Sequence, residues 1–328
     1  MQSFGFGRAL LRAALLFWCV LSLTFVLLRL APGDAATFLV PEGASAAEAA
    51  RVRAALGLDA SIPVQYARWL GESLRGRMGT SFAARRAVTS VIGDALPVSL
   101  GLGGASLLLS FVAGTLVGLV QAARHGSRTD AALTVASVIL VASPAYWLGL
   151  GAIACFTYLA SSWNFPMVLR LPAIGMSTPG AELAGFAHVA DLARHSILPL
   201  ALLAAIGAGG VARYVRTGAL DTMRADWMRS ARAKGASEPR VFGRHLLANM
   251  RAPLLTLFAL ALPGTVAGSV FVETIFGWPG MGRLMVTSIL VRDYPVVLGC
   301  AATFGGIVIV ANLAAEALLP WADPRVQG

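Results

Sequence analysis

Six long apolar stretches constrain this chain more than any other feature. They run from about Ala9 to Ala31, Pro97 to Ala122, Ala131 to Ala160, His195 to Val215, Ala252 to Phe276 and Val296 to Leu319. A helix needs roughly 20 mostly apolar residues to cross the hydrocarbon of a bilayer. Lipid offers no partner for backbone N–H and C=O groups, and a helix satisfies its own. The stretches therefore specify an all-α integral membrane protein with six transmembrane helices. A water-soluble core has no room for them: 57% of the 328 residues are hydrophobic and 13% are charged, against about 25% charged in soluble domains.

The cations fix an orientation. Arg8 and Arg12 precede the first stretch, Arg124 and Arg128 lie between the second and third, and nine cations from Arg213 to Arg251 surround the gap between the fourth and fifth. With six crossings all three groups fall on one face, which the positive-inside rule makes cytoplasmic together with both termini. The net charge of +10 follows from topology and from anionic lipid, and nucleic acid is not needed to explain it. A cleaved signal peptide over the first stretch would leave five crossings and invert this parity. The uncharged run Ala13–Leu28 is long for a signal core, so a retained helix is expected.

Residues 32–95 would then lie outside, with seven cations nearly balanced by six acids. Glu48–Leu56 has helical composition, Gly57-Leu58-Asp59 interrupts it, and a second short helix starts near Ile62-Pro63 and passes Trp69 to Leu74. A small helical extracytoplasmic unit is expected here, lying against the membrane.

Several function classes are disfavoured. The middles of the six stretches hold no charge, and Arg29, Arg194, Glu273 and Glu316 all fall near stretch ends. An ion-coupled carrier acting alone places ionisable groups at mid-depth. Cys19, Cys155 and Cys300 are isolated in apolar runs and the four histidines are scattered, which gives no metal-ligand spacing. Ser269 has only Glu273 one turn away, which reads as a helix-surface hydrogen bond rather than a nucleophile. The single lysine, Lys234, is followed by Gly235, so no phosphate-binding P-loop exists and this chain is expected to be neither an enzyme nor an ATPase. Small residues recur as G-x-x-x-G at Gly114–Gly118 and Gly264–Gly268, with Gly207, Gly209 and Gly210 between them. They read as close helix packing. Pro263 interrupts the fifth stretch as a hinge or a fixed kink.

The basic gap carries more than topology. Asp226-Trp227-Met228-Arg229-Ser230-Ala231-Arg232-Ala233-Lys234-Gly235 predicts a helix over Arg224–Lys234 with a left-handed glycine stop. Ser237 and Pro239 suit the first turn of a second helix. On spacing alone, a rigid helix–turn–helix gripped by a partner and a pair of amphipathic helices lying on lipid are evenly matched.

The residues themselves resemble the coupling loop of ABC importer permeases, and within them the dipeptide/oligopeptide/nickel permeases. The resemblance rests on Asp226 to Gly235, on Arg244-His245-Leu246-Leu247-Ala248-Asn249, and on Pro253. It continues in Leu30-Ala31-Pro32-Gly33-Asp34, Leu56-Gly57-Leu58-Asp59, Pro63, Gln65-Tyr66, Trp69-Leu70 and Leu171-Pro172-Ala173-Ile174-Gly175. Glu273 to Gly282, Arg292-Asp293-Tyr294-Pro295 and Asp323-Pro324-Arg325 complete it. Trp227, Ser230 and Arg229 stand where the family has tyrosine, threonine and, in other ABC permeases, the glutamate that names the motif. Glu316 stands near the place of a family aspartate.

The resemblance implies a type I importer permease in a bacterial inner membrane. An N-terminal helix and external segment would span residues 1–95, a core with its coupling loop at 213–252 would span 96–320, and a short tail would span 321–328. The implied partners are a second homologous permease, two cytoplasmic ATPases that carry ATP and Mg, an extracytoplasmic solute-binding protein and membrane lipid. The chain itself would need no cofactor and no metal. Asp226, Trp227, Arg229, Ala231, Arg232, Ala233, Lys234 and Gly235 would engage an ATPase groove. Glu273, Gly277, Pro279, Gly280 and Gly282 would form an external gate, a binding-protein contact or simply a turn. The alternatives are a secondary carrier without ATPases and a membrane protein that docks a cytoplasmic partner.

Overall fold

A computed structural model describes residues 2–30, 45–55, 57–235, 237, 241–267 and 269–322. The motif positions 31–34, 56, 236, 238–240, 268 and 323–325 lie outside them, as do the side chains of Arg229, Ala231, Arg232, Arg244 and His245. Apart from one isolated bridge between Thr80 and Ala87, the regular structure among the described residues is helical. The chain divides into two compact units, residues 1–98 with 279–309, and residues 99–278 with 310–328.

The first unit begins with α1 (Gln2–Leu30), followed by α2 (Ala46–Ala55) and α3 (Ile62–Leu74). The Ser45 amide donates to the Glu48 carboxylate and the Glu48 amide to Ser45 Oγ, 2.9 and 3.3 Å, a reciprocal cap that starts α2. Gly57 then turns the chain at φ +66°. The two short helices and their glycine break lie where the sequence places them. α3 packs on α1: Phe25, 1% exposed, meets the rings of Tyr66 and Trp69 at 5.3 and 5.5 Å, and Tyr66 Oη pairs with Ser22 Oγ at 2.6 Å. The start of α4 (Val88–Ala123), α12 (Met281–Leu290) and the start of α13 (Tyr294–Ala322) supply a second core of Val88, Ile92, Ala95, Met281, Val296 and Cys300.

In the second unit the remainder of α4 is joined by α5 (Arg128–Ala142), α6 (Ala145–Ser162) and the long α7 (Gly185–Met223). α8 (Asp226–Ala233), α9 (Leu247–Ala261), α10 (Gly264–Ala267) and α11 (Val270–Ile275) follow. The G-x-x-x-G of α4 is a true packing face. A Cβ at Gly114 would lie 2.6 Å from Val211 Cβ, and one at Gly118 2.6 Å from the Ala212 carbonyl, so α4 and α7 approach backbone to backbone. A Cβ at Gly207 would likewise run into Ser110, and one at Gly209 would lie 2.9 Å from the Ser137 carbonyl of α5. Gly210 has no such neighbour.

Among the described residues, five helices are long and apolar enough to cross a membrane: Leu11–Leu30, Val88–Ala123, Ala145–Ser162, Gly185–Met223 and Tyr294–Glu316. The stretches expected at 131–160 and 252–276 are not single helices. Pro144 divides the first, because its ring and missing N–H start α6 afresh after Ser143. Leu262 and Pro263 divide the second, and Ser269 separates α10 from α11. Pro97, Pro199 and Pro253 stay inside continuous helices.

Candidate functional site

The basic segment is built on a buried post. α7 ends at Met223, and Arg224 and Ala225 turn the chain into α8. The helix expected over 224–234 is thus shorter by two residues at its start, because Arg224 and Ala225 close α7 through bonds to the Asp221 and Thr222 carbonyls. Gly235 ends the segment at φ +79°, the left-handed geometry a non-glycine residue adopts at a cost. Ser237 accepts from the Val241 amide through its carbonyl at 2.9 Å, and a wide turn over Val241–Leu246 runs into α9.

Sequence reasoning missed the residue that mounts α8. Met228 is fully buried with Val241, Leu246 and Met250, against Ala122, Val211, Val215 and Ala219. Trp227, Ser230, Ala233, Lys234 and Gly235 stay exposed. A one-sided apolar anchor in a charged helix was the available signal: Met228 is the lone aliphatic side chain of its size between Asp226 and Gly235. The result is a short helix anchored from below by Met228, with Trp227, Ser230, Ala233 and Lys234 open on the other side.

A second polar cluster lies beside the 124–130 turn. Arg216 of α7 grips Asp130 with two hydrogen bonds, Nε to Oδ1 and Nη2 to Oδ2, both 2.8 Å. The Gly126 amide also donates to Asp130, at 3.1 Å, and His125 Nδ1 lies 3.4 Å away. The Arg216 guanidinium holds the Asp130 carboxyl well below the usual carboxylate range, against the opposing effect of burial. Charge counting saw Arg216 as one of many cations. Its partner is 86 residues away in sequence, beyond any local pattern.

The turn residues divide between the two units. In the second unit, Glu273 is 0% exposed. Its Oε1 accepts from Ser99 Oγ at 2.6 Å and from Ser269 Oγ at 2.7 Å. The surface hydrogen bond expected for Ser269 is a buried one, because the Glu273 carboxylate it donates to is shared with Ser99 inside the second unit. Gly277 is left-handed at φ +61°, and the Trp278 amide closes the turn on the Glu273 carbonyl at 2.8 Å. The Gly175 amide donates to the Phe276 carbonyl at 2.8 Å. The two turn motifs, 171–175 and 273–278, are therefore joined, over a core of Ile153, Leu171, Leu198, Leu202, Val272 and Phe276. In the first unit, Pro279 leads into Gly280, the N-cap of α12, and Gly282 is buried in its first turn.

No cluster of three His, Cys, Asp or Glu side chains with metal-holding geometry occurs among the described residues.

Comparison with known proteins places this architecture. The model of the binding-protein-dependent transport system inner membrane component family matches residues 114–328, and its N-terminal companion matches residues 1–103. The oligopeptide transport system permease protein AppB of Bacillus subtilis is 35% identical over 306 residues, covering 93% of each chain. The Escherichia coli protein named "Probable D,D-dipeptide transport system permease protein DdpB" is 33% identical, covering 94% of this chain and 92% of its own. Among solved structures, the inward-facing MetNI methionine ABC transporter aligns with a TM-score of 0.51 at 15% identity, over 72% of this chain and 97% of that one. This last likeness is one of fold. The chain therefore belongs to the binding-protein-dependent transport system inner membrane component family, as a permease subunit of an ABC importer.

Proposed function

We propose that this permease forms half of the translocation pathway of an ATP-driven importer for peptides or a closely related small solute. The observation that carries the reading is α8: a short helix with a buried Met228 foot, leading to Gly235, with Trp227, Ser230, Ala233 and Lys234 exposed. In a chain of this family, such a helix suits a groove on a cytoplasmic ATPase. The peptide class comes from the names of relatives that match along 93% of the chain.

In this reading α9, α10 and α11 together make one crossing broken at Pro263, and with the five continuous helices they complete six. Both termini and α8 face the cytoplasm, while α2, α3 and the 171–175 and 273–282 turns face outward. Residues 96–320 act as the core and 1–95 as an added helix and external segment. A second permease pairs with this one, and two ATPases bind ATP and Mg on the cytoplasmic side. A binding protein delivers solute from outside.

Closure of the ATPases pushes α8. Because Met228 is locked among residues of α7, α9 and α4, the push passes to those helices with little local give. Gly235 fixes where α8 stops, so Asp226, Arg229, Arg232 and Lys234 keep their register against the ATPase. ATP-dependent, vanadate-sensitive uptake of radiolabelled dipeptides into vesicles holding the assembled transporter tests this. Uptake driven by a proton gradient with the ATPases removed would refute it.

A further inference from the structure

The first unit contains a cavity that no part of the transport mechanism uses. It encloses about 570 Å³, the size of a small-molecule site. Arg29, Arg68, Arg77 and Arg85 line it, with Glu72 as the one acid among the described residues of the lining. Arg77 is committed to Glu72 at 2.7 Å, and Arg29 lies over the rings of Phe25 and Tyr294 at 5.2 and 5.8 Å. Arg68 and Arg85 make no ion pair among the described residues. Two further polar atoms of the lining are buried without a hydrogen-bond partner: Tyr294 Oη, on a side chain that is 7% exposed, and Gln65 Oε1. The Gln65 amide nitrogen already donates to the Leu58 and Ala60 carbonyls, so what its oxygen lacks is a donor.

A second cavity of about 220 Å³ adjoins the first and shares Trp69, Met78 and Leu298 with it. Its other walls include Phe17 and Leu21 of α1, and Ala302 and Thr303 of α13. Along α1, Phe17 is about 18 Å from Arg29, and along α13 Thr303 is about 13 Å from Tyr294, at ~1.5 Å per residue. Both helices are membrane-spanning by length and composition. Arg29 and Tyr294 mark their ends, so the basic cavity sits at headgroup level. The apolar slot runs from it into the hydrocarbon.

We infer that this pair of cavities is a binding site for an anionic phospholipid. The phosphate would lie with Arg68 and Arg85 and accept from Tyr294 Oη. A headgroup hydroxyl would donate to Gln65 Oε1, and one acyl chain would occupy the slot between Phe17, Leu21 and Ala302. Basic pockets between spanning helices bind anionic headgroups on the cytoplasmic side of membranes, and here the same chemistry stands beside α2 and α3. The slot separates a lipid from a soluble anion, which has no use for a 220 Å³ apolar extension.

The test is native mass spectrometry of the full chain, extracted in the complex it forms and exchanged into detergent holding one lipid at a time. Dioleoyl phosphatidylglycerol should be retained roughly tenfold better than dioleoyl phosphatidylcholine, from cations each worth severalfold in affinity. Arg68→Gln with Arg85→Asn should abolish that preference in a complex of unchanged subunit mass. Ala302→Phe, which fills the slot, should release the dioleoyl lipid and spare dihexanoyl phosphatidylglycerol. If that variant disassembles, the wild type carries the same test: dihexanoyl lipid binding as tightly as dioleoyl would overturn the slot. Equal retention of the two dioleoyl lipids, or a preference that survives in the double variant, would overturn the site. Displacement of the lipid by inorganic phosphate or by an acidic dipeptide would reassign the cavity to a soluble anion.

Discussion

The two ends of α7 carry opposite constructions. Near Leu198 and Leu202 it supports the 171–175 and 273–278 turns, whose central polar group, Glu273, is buried and bonded by Ser99 and Ser269. Near Val215 and Ala219 it supports α8, whose Asp226, Trp227 and Ser230 are exposed and whose buried group is the apolar Met228. Leu202 and Val215 are about 20 Å apart along one helix. One end fixes its turns through a buried polar group, and the other seats α8 on a buried apolar one. A surface that must meet a partner needs exposed charge on a stiff support, whereas a turn that must hold two segments together is better fixed by hydrogen bonds shielded from competing water.

Substitutions can break this contrast. The largest effect is expected from Gly235→Pro. Proline holds φ near −65° where Gly235 needs +79°, so the end of α8 must rearrange while the spans do not. Membrane insertion should persist, and ATP-driven uptake should fall at least about tenfold, uncoupled from ATP hydrolysis. This checks whether the α8 end is the working end.

Met228→Ala comes next. Removing a fully buried methionine side chain costs about 2–5 kcal/mol, and the loss should fall on the docking of α8. Hydrogen exchange over residues 226–246 should accelerate by more than tenfold while the turn at 273–278 stays protected. Equal loosening at both ends would deny that they are separately built.

Ser99→Ala should cost about 1–3 kcal/mol, the price of withdrawing a donor from a buried acceptor. Its effect and that of Ser269→Ala should be non-additive in thermal unfolding, since both hydroxyls serve the same Glu273 oxygen.

The Asp130–Arg216 pair sharpens the comparison with pH. The folded Asp130 carboxyl titrates below its ordinary value of 3.8. Its contribution to stability is therefore complete above that value and fades as the pH falls below it toward the folded pKa. Arg216→Gln should flatten this acid-side loss in a pH series of melting temperatures. The smallest effect on stability should come from Trp227→Ala, within about 0.5 kcal/mol for an exposed position. Its uptake should nonetheless drop severalfold.

The sequence reading and the fold agree where the signal is local. Four of the six apolar stretches, the breaks at Gly57 and Gly235, the two short helices after α1 and the close-packing face at Gly114 and Gly118 all follow from period, glycine and length. The segments divided at Pro144 and Pro263 were harder, since Pro97, Pro199 and Pro253 look the same in sequence and sit inside intact helices. Inside a membrane the carbonyl that a proline frees needs a partner from elsewhere in the fold, which no local pattern shows. The site shows the same division. The α8 residues were legible as a run, but Met228 as their anchor, Ser99 as a partner of Glu273 and Asp130 as a partner of Arg216 were not. Those pairs join elements 86 or 174 residues apart, and nothing in either segment alone marks the other.

The most direct measurement is cysteine crosslinking from the exposed face of α8. With Ala233→Cys in a background free of the three native cysteines, a short bifunctional reagent should join this chain to a cytoplasmic ATPase subunit, and ATP should change the yield. Crosslinks confined to lipid or to other permease residues, in a complex that still imports solute, would contradict the account.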